Sequence, residues 1–148
     1  MTTYSSAAVT SGIMPDFRVP AGVVLNRHVI YTTADDSIVS GDVIQLLPIP
    51  KNARVMDVLI SADLPAGCTD SDVGYGGDAD AFYDGISILS TTVFTMNSGE
   101  VEGFLHKFTA DDTIDLTLNK TGATKIPTST IIYASVTYKM TDSIADEA

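Results

Sequence analysis

Two segments in the C-terminal third of the chain place apolar residues at every second position, and few folds can accommodate this pattern. Ile114, Leu116 and Leu118 share one face of an extended segment, and polar residues lie between them. In the stretch 130–140, five residues share a single face: Ile132, Ala134, Val136, Tyr138 and Met140. A period of two predicts half-buried antiparallel strands in both places and argues against an amphipathic helix.

Other runs of β-branched and aromatic residues predict further strands at 23–33, 42–47, 54–62, 73–75, 86–92 and 104–108. Met56, Val58 and Ile60 are predicted to share one face of the third strand. We expect a loop at 48–53, because Pro48 and Pro50 cannot continue a central ladder. Residues 63–85 are rich in Gly and Asp and read mainly as loop. Strands spaced by roughly 8–12 residues predict an all-β, jelly-roll-like β-sandwich.

The length of 148 residues fits one domain. Residues 1–22 are rich in Ser, Thr and Ala and have no periodicity, so they are predicted to form an extended N-terminal arm. That arm is either a flexible tail or a segment that docks on a neighbouring subunit. The β-sandwich domain is predicted at 23–141 and an acidic C-terminal tail at 142–148. We find no signal-peptide pattern and no membrane-spanning apolar run, and expect synthesis in a cytoplasm.

The charge balance limits the possible partners. Eight basic residues face nineteen acidic ones, which gives a formal net charge of −11. Nucleic acid and anionic membranes are therefore predicted not to be partners, because both require a positive surface. The single cysteine, Cys68, excludes an intrachain disulfide and a cysteine-based zinc site.

Three carboxylates beside a glycine-rich stretch are the candidate metal ligands: Asp78, Asp80 and Asp84. Calcium prefers oxygen ligands from such loops. Their spacing does not match an EF-hand, since Phe82 and Leu89 occupy the fifth and twelfth positions counted from Asp78. The alternative is a surface loop in which Asp side chains accept hydrogen bonds from the local backbone. No metal or other cofactor is predicted, and these three residues remain the candidates for a metal.

No catalytic motif is present. There is no G-x-S-x-G elbow, no P-loop and no dinucleotide-binding glycine motif after a strand. His28 and His106 are far apart in the sequence and are predicted to be exposed or cross-strand histidines. Cys68 is predicted to be an unreactive thiol in a polar loop. We predict that the chain is not an enzyme; a small β-fold enzyme would need a pocket where a histidine meets carboxylates.

Aromatic residues cluster in the central segment, at Tyr75, Phe82 and Tyr83. Exposed rings of this kind stack on sugars, although Trp is absent from this chain. The alternative is that Phe82 and Tyr83 pin the segment to the core.

Three segments resemble the capsid decoration, or cement, proteins of tailed bacteriophages. They are 43–58, with a Pro50, Lys51 and Arg54 corner; 72–85, with Val-Gly-Tyr before its aspartates; and 111–118, followed by the closing strand 131–138. The resemblance covers roughly residues 40–140. It implies a jelly roll on the outer face of a virion head, often a homotrimer, that clamps major capsid subunits and has no active site.

From this resemblance we expect a structural virion protein on the outer capsid surface, made in the bacterial host. Its expected partners are the major capsid protein and further copies of itself. The resemblance does not fix the contact residues. From aromatic and basic residues at likely loop tips, we predict subunit or capsid contacts in the arm and in the central segment: Phe17, Arg18, Val19, Tyr75, Phe82 and Tyr83. The alternatives are a module that binds host-surface glycan and a tail or head-fibre component.

Overall fold

The computed structural model describes residues 1–14, 23–34, 38–64, 68, 70–88, 103–119 and 126–141. Within these ranges there are eight strands and one helical turn: β1 (Thr3–Ser5), α1 (Ala7–Thr10), β2 (Val24–Thr32), β3 (Val43–Ile49), β4 (Ala53–Ala62), β5 (Ser71–Tyr75), β6 (Asp78–Ile86), β7 (Asp112–Thr117) and β8 (Ile131–Met140). The prediction of an all-β chain is confirmed. In this described part of the chain, no helix has the length and apolarity to cross a membrane.

The strands form two sheets that pack as a sandwich. The first has five strands in the order β1-β3-β7-β5-β6, and the second has three in the order β2-β8-β4. All neighbouring strands are antiparallel except β1 and β3. From β2 to β5 every connection crosses between the sheets, and residues 103–108 return to the edge of β4 at an Arg54–Lys107 bridge. The predicted β-sandwich is confirmed, and its jelly-roll character stays a prediction.

The core lies between the two sheets, and both alternating segments supply it. Ile114, Leu116 and Leu118 are fully buried. The five residues predicted on one face of β8 are at most 5% exposed. Both predicted alternations are therefore confirmed. The predicted position of Cys68 in a polar loop is wrong, because this residue is fully buried in the core.

A bulge in β4 changes which side chains face the core. The register against β8 shifts between Val55 and Asp57. Val55 and Val58 are therefore both buried, whereas Met56 is only half-buried. The prediction that Met56 shares a face with Val58 and Ile60 is wrong, because one extra residue reverses the alternation of a strand.

Strand β3 continues through Pro48 to Ile49, so the loop predicted at 48–53 begins too early. The partner β1 pairs only with residues 43–45 of β3. Beyond that point β3 is an edge strand within the described residues, and an edge tolerates proline because no second ladder needs its missing N–H. Pro48 still lies opposite Thr113 of β7.

The central segment 63–85 contains a hairpin where mainly loop was predicted. The short strand predicted at 73–75 is confirmed as part of β5, but Asp78–Ile86 is a strand as well. Gly74 permits their pairing, since a Cβ there would lie 2.1 Å from the carbonyl oxygen of Asp78. Irregular register between β5 and β6 breaks the period of two, which explains why the sequence pattern hid this strand.

Two other strand predictions are corrected. Strand β6 ends at Ile86 and residues 87–88 are not strand, while 89–92 lie outside the described residues. Residues 104–108 form a turn and a single bridge at Lys107 rather than a full strand. Backbone hydrogen bonds still hold this segment to β4, including Val55 N–H to the His106 carbonyl at 3.0 Å.

The N-terminal residues pack on the five-stranded sheet. Strand β1 lies parallel to the start of β3, and the amide of Val43 donates to the Thr2 carbonyl at 3.0 Å. Ser6 then caps α1: its hydroxyl accepts from the Val9 amide and donates to the Leu46 carbonyl at 2.5 Å. The segment predicted as an arm thus contains a strand and a helical turn. Its boundary at residue 22 stays a prediction, and 15–22 and the tail 142–148 lie outside the described residues.

Candidate functional site

Four aromatic rings meet where the end of β5 faces residues 103–108. The rings of Tyr75 and His106 stack with their centroids 4.5 Å apart. Phe108 approaches both edge-on, at 5.2 Å from Tyr75 and 4.9 Å from His106. Phe82 lies 6.3 Å from Tyr75. Aromatic pairs at these distances contribute more to stability than the burial of their surface alone would give.

The pKa shifts of His106 and Tyr75 favour uncharged rings in this cluster. Burial lowers the pKa of His106, and this effect outweighs the Asp78 and Asp112 carboxylates that act to raise it. Burial likewise raises the pKa of Tyr75. Neutral rings therefore stack here near pH 7, and the cluster fastens the end of the hairpin to the segment beside β4. Of the three aromatic residues predicted as contacts, Tyr75 is the one with part of its surface accessible.

Phe82 and Tyr83 were predicted as contact residues, but both side chains are fully buried. The Tyr83 hydroxyl donates a hydrogen bond to the backbone carbonyl of Val58. Burial raises the pKa of this phenol, so the hydroxyl keeps its proton. Neither ring is presented on the surface of this chain, and the alternative, in which they pin the central segment to the core, is the observed arrangement.

The three candidate metal ligands lie on β6 rather than in a loop. Asp78 is half-buried, and Asp80 and Asp84 are exposed on either side of the buried residues 81–83. Among the residues that the structure describes, no three His, Cys, Asp or Glu side chains form a group that could hold a metal ion. The structure therefore does not bring these three carboxylates together as a binding site.

The remaining candidate residues lie apart from this region. Phe17, Arg18 and Val19 fall outside the described residues. His28 is exposed on β2, opposite Ser135 of β8. His106 belongs to the aromatic cluster, so the two histidines occupy different places in the fold.

The outer face of the three-stranded sheet is a surface that the sequence reasoning missed. An apolar end holds Ile30, 62% exposed, next to Tyr133, 49% exposed. A groove of about 400 Å³ runs across the three strands there, and six side chains of the outer face border it: His28, Ile30, Leu59, Ser61, Tyr133 and Ser135. The sequence of β2 contained a sign of this surface: the apolar residues Val24 and Ile30 lie on the opposite face from the inward-facing Val29.

Charge is divided unequally between the two sheets. The five-stranded sheet carries six aspartates and no lysine or arginine. The three-stranded sheet carries two arginines and a lysine against a single aspartate, Asp57. At one end of its outer face, Arg54 lies between Lys139 of β8 and Lys107 of the neighbouring segment. These three cations form a row across the sheet, which we call the cationic row.

Two carboxyl groups of the five-stranded sheet have raised pKa values. Burial raises the pKa of Asp115 to about 6, although the Thr113 hydroxyl donates to it at 2.5 Å. Burial also raises the pKa of Asp72, which accepts hydrogen bonds from Asn119 and the Gly85 amide. Because burial opposes their ionisation, these two carboxyl groups become negatively charged at a higher pH than exposed aspartates do.

Solved structures with the same fold come from phage capsids. A chain from the capsid of Ralstonia phage GP4 superposes with a TM-score of 0.76 at 16% identity, over 95% of this chain and 99% of that one. A chain of the cyanophage Pam1 capsid asymmetric unit gives 0.57 at 19% identity, over 86% and 91%. One from the acidic stable capsid of Helicobacter pylori bacteriophage KHP30 gives 0.55 at 14%, over 83% and 92%.

No protein-family model and no curated protein sequence matches the chain. The fold therefore defines the class at the level of architecture: this is a β-sandwich shared with chains of three phage capsids. The likeness to the GP4 chain extends over nearly the whole of both chains.

Proposed function

We propose that this chain is a structural virion protein that binds the outside of a phage capsid and stabilises contacts between major capsid subunits. The observation that carries the proposal is its fold, shared with a chain of the GP4 capsid over 95% of its length. A match over so much of both chains points to a shared domain architecture rather than a common supersecondary motif.

Physical properties of the chain support this role. A clamp between subunits has to transmit force without deforming, and two sheets joined through a close-packed core are stiff. The net charge of −11 disfavours contact with packaged DNA and suits a position outside the shell. The aromatic cluster around Tyr75 is a packing unit, and we propose no enzymatic activity and no cofactor.

The partners in this proposal are the major capsid protein and further copies of the chain, as a homotrimer. Closed symmetry would repeat one modest contact several times and so increase the avidity of binding. The contact predicted for Phe17, Arg18 and Val19 stays a prediction. A Phe17→Ala/Arg18→Ala variant should fold normally and bind shells more weakly; unchanged binding would remove the arm from the interface.

Co-sedimentation with shells of the major capsid protein from the same virus tests the proposal. We expect saturable pelleting at a fixed copy ratio, together with a higher disruption temperature of the decorated shells. Failure to pellet with both expanded and unexpanded shells would contradict the proposal. A role in the tail, in a head fibre or in glycan binding would then be favoured, although burial of Phe82 and Tyr83 removes two rings from any sugar platform.

A further inference from the structure

We propose that strand β2 pairs edge to edge with β2 of a second copy of this chain, so that two three-stranded sheets join into one continuous sheet. This contact has two-fold symmetry, so it is distinct from a contact that would close a trimer. On a shell it would join copies that belong to neighbouring trimers. The inference goes beyond the proposed function, because it concerns two copies of the chain and requires no shell.

The outer edge of β2 carries hydrogen-bonding groups that no strand of the described residues pairs with. Thr33, which follows β2, donates its amide to the carbonyl of Thr130 beside β8 at 3.0 Å. Backbone groups of consecutive residues point to opposite sides of a strand, so the odd-numbered residues of β2 face β8 and the even-numbered ones face away. In the part of the chain that the structure describes, β8 is the sole neighbour of β2. An open ladder therefore runs along Asn26, His28, Ile30 and Thr32.

Strand β2 lacks most of the features that keep edge strands from pairing. It runs for nine residues, Val24–Thr32, and contains no proline, glycine, lysine or acidic residue. Its register against β8 is continuous and has no bulge. A long, regular edge of this kind is a template for pairing with another chain, because its backbone donors and acceptors are already aligned.

The other sheet edges are less suited to a second copy. Residues 103–108 cover the edge of β4 through backbone bonds, and β1 lies beside the start of β3. Strand β6 exposes Asp80 and Asp84, whose charges would repel another copy of a chain with a net charge of −11. Among the described strands, β2 is therefore the edge that two copies of this acidic chain can share.

The sequence of β2 makes the strand complementary to itself. Arg27 and Tyr31 lie four residues apart on the same inner face, and both are half-buried. An antiparallel pair with its two-fold axis at Val29 places Arg27 of each copy opposite Tyr31 of the other, where a guanidinium gains from contact with an aromatic ring. The two Val29 side chains then meet at the axis. No like charges lie directly opposite each other in this register.

The same register pairs the outer face. Ile30, which is 62% exposed, lies opposite His28 of the second copy, and Asn26 lies opposite Thr32. These even-numbered residues form backbone pairs that each exchange two hydrogen bonds. Seven paired residues span about 24 Å, and an edge roughly 20 Å thick then gives about 500 Å² on each copy. An interface of this size is typical of weak, reversible association.

Single cysteines on β2 test the pairing and the position of its axis. Because Cys68 is fully buried, oxidation should link only introduced cysteines. Val29→Cys places a thiol on the axis, where opposed Cα atoms about 4.5 Å apart suit a disulfide. The matched control is Leu25→Cys, on the same half-buried face but away from the axis. Circular dichroism checks both folds, and non-reducing denaturing gels measure the covalent dimer.

We expect the Val29→Cys variant to form the covalent dimer at least tenfold faster than the Leu25→Cys variant. Equal rates, or faster linking of Leu25→Cys, would contradict a two-fold axis at Val29 and overturn the inference. Absence of a covalent dimer in both variants would overturn it as well.

Sedimentation velocity of the protein alone tests the association without a cross-link. We expect the sedimenting species to double in mass as the concentration rises. His28→Pro removes an N–H that points away from β8, so the β2–β8 ladder keeps its bonds and the doubling should disappear. Absence of doubling in the wild type, or doubling that a folded His28→Pro variant retains, would contradict the proposal. If His28→Pro fails to fold, the cysteine variants still decide, because they keep this N–H.

Amide hydrogen exchange distinguishes the possible occupants of the edge. We expect the amides of His28 and Ile30 to become protected as the protein concentration rises. Protection at every concentration would show that a segment of the same chain covers the edge, and protection that requires shells would show that a strand of the shell occupies it. Either result would overturn the inference. Failure of shell binding alone would overturn the proposed function and leave this pairing standing.

Discussion

The Tyr83 hydroxyl crosses the core to reach its acceptor. Tyr83 belongs to β6 of the five-stranded sheet, whereas Val58 belongs to β4 of the three-stranded sheet. Their hydrogen bond therefore joins the two layers of the sandwich, in surroundings where an unpaired polar group is costly.

We expect Tyr83→Phe to lower the free energy of unfolding by about 1–2 kcal/mol, because the buried Val58 carbonyl loses a donor. Urea denaturation followed by circular dichroism measures this change. Tyr133→Phe is the matched control, since its hydroxyl lies on the half-exposed outer face. Equal stability of the two variants would mean that the bond across the core contributes nothing measurable.

Asp115 links a single residue to the pH dependence of stability. Its folded pKa of about 6 lies above the ordinary value for an aspartate side chain, because burial makes ionisation cost more in the folded chain. The neutral Asp115 carboxyl therefore favours the folded state relative to the ionised one. This contribution to stability is complete below about pH 4 and is lost as the pH rises through about 6.

Asp115→Asn should therefore raise the free energy of unfolding at pH 7 by up to about 3 kcal/mol, because the folded chain no longer has to hold a buried carboxylate. The gain should disappear near pH 3.5, where both side chains are neutral. Denaturation curves across this range provide the measurement. Asp84→Asn, an exposed position on the same sheet, controls for removal of one negative charge. A gain that does not depend on pH would contradict this assignment.

Among the secondary-structure elements, β1 and α1 are joined to β3 through Ser6. Ser6 is buried, caps α1 and donates to Leu46 of β3. The three-residue strand and one-turn helix are too short to be stable alone, so their position depends on this attachment and on the parallel ladder with β3.

Ser6→Ala should loosen β1 locally, by about 1–2 kcal/mol, while global unfolding changes little. The Val43 amide, which donates to Thr2, should then exchange its hydrogen roughly 5–30 times faster. Hydrogen exchange read by NMR measures this rate. Ser5→Ala, which loses an exposed bond to Gln45, is the matched control. Identical exchange in the two variants would show that Ser6 does not hold the strand.

The errors in predicting individual elements have local causes. In β4 one bulged residue moves Met56 out of the inward face, and in β6 irregular pairing hides a nine-residue strand. In β3 the ending of β1 turns Pro48 into an edge position. Each cause depends on where a partner strand begins or ends, and sequence periodicity carries no such information.

Over the whole molecule, acidic residues concentrate on the five-stranded sheet and basic residues on the three-stranded sheet. If the chain binds shells as proposed, any contribution of the cationic row to that binding should fall with salt, because salt screens its field.

Lys139→Gln should weaken shell binding at low salt, and the difference from wild type should shrink by 0.5 M NaCl, where the Debye length is only about 4 Å. Ala79→Glu changes the net charge by the same amount on the five-stranded sheet, and we expect it to have a smaller effect. Pelleting isotherms at both salt concentrations measure the comparison. A larger effect for Ala79→Glu would indicate that the acidic sheet faces the shell.

The all-β class, the approximate positions of most strands and the buried faces around Ile114 and Val136 follow from the sequence alone. Period-two alternation is a local property, and burial of one face follows from it directly. The candidate sites were less predictable: Phe82, Tyr83 and Cys68 are buried, and the aspartates of β6 do not converge. These outcomes, like the cationic row and the apolar groove, depend on how strands that are distant in sequence pack against each other, and a local pattern carries no such information.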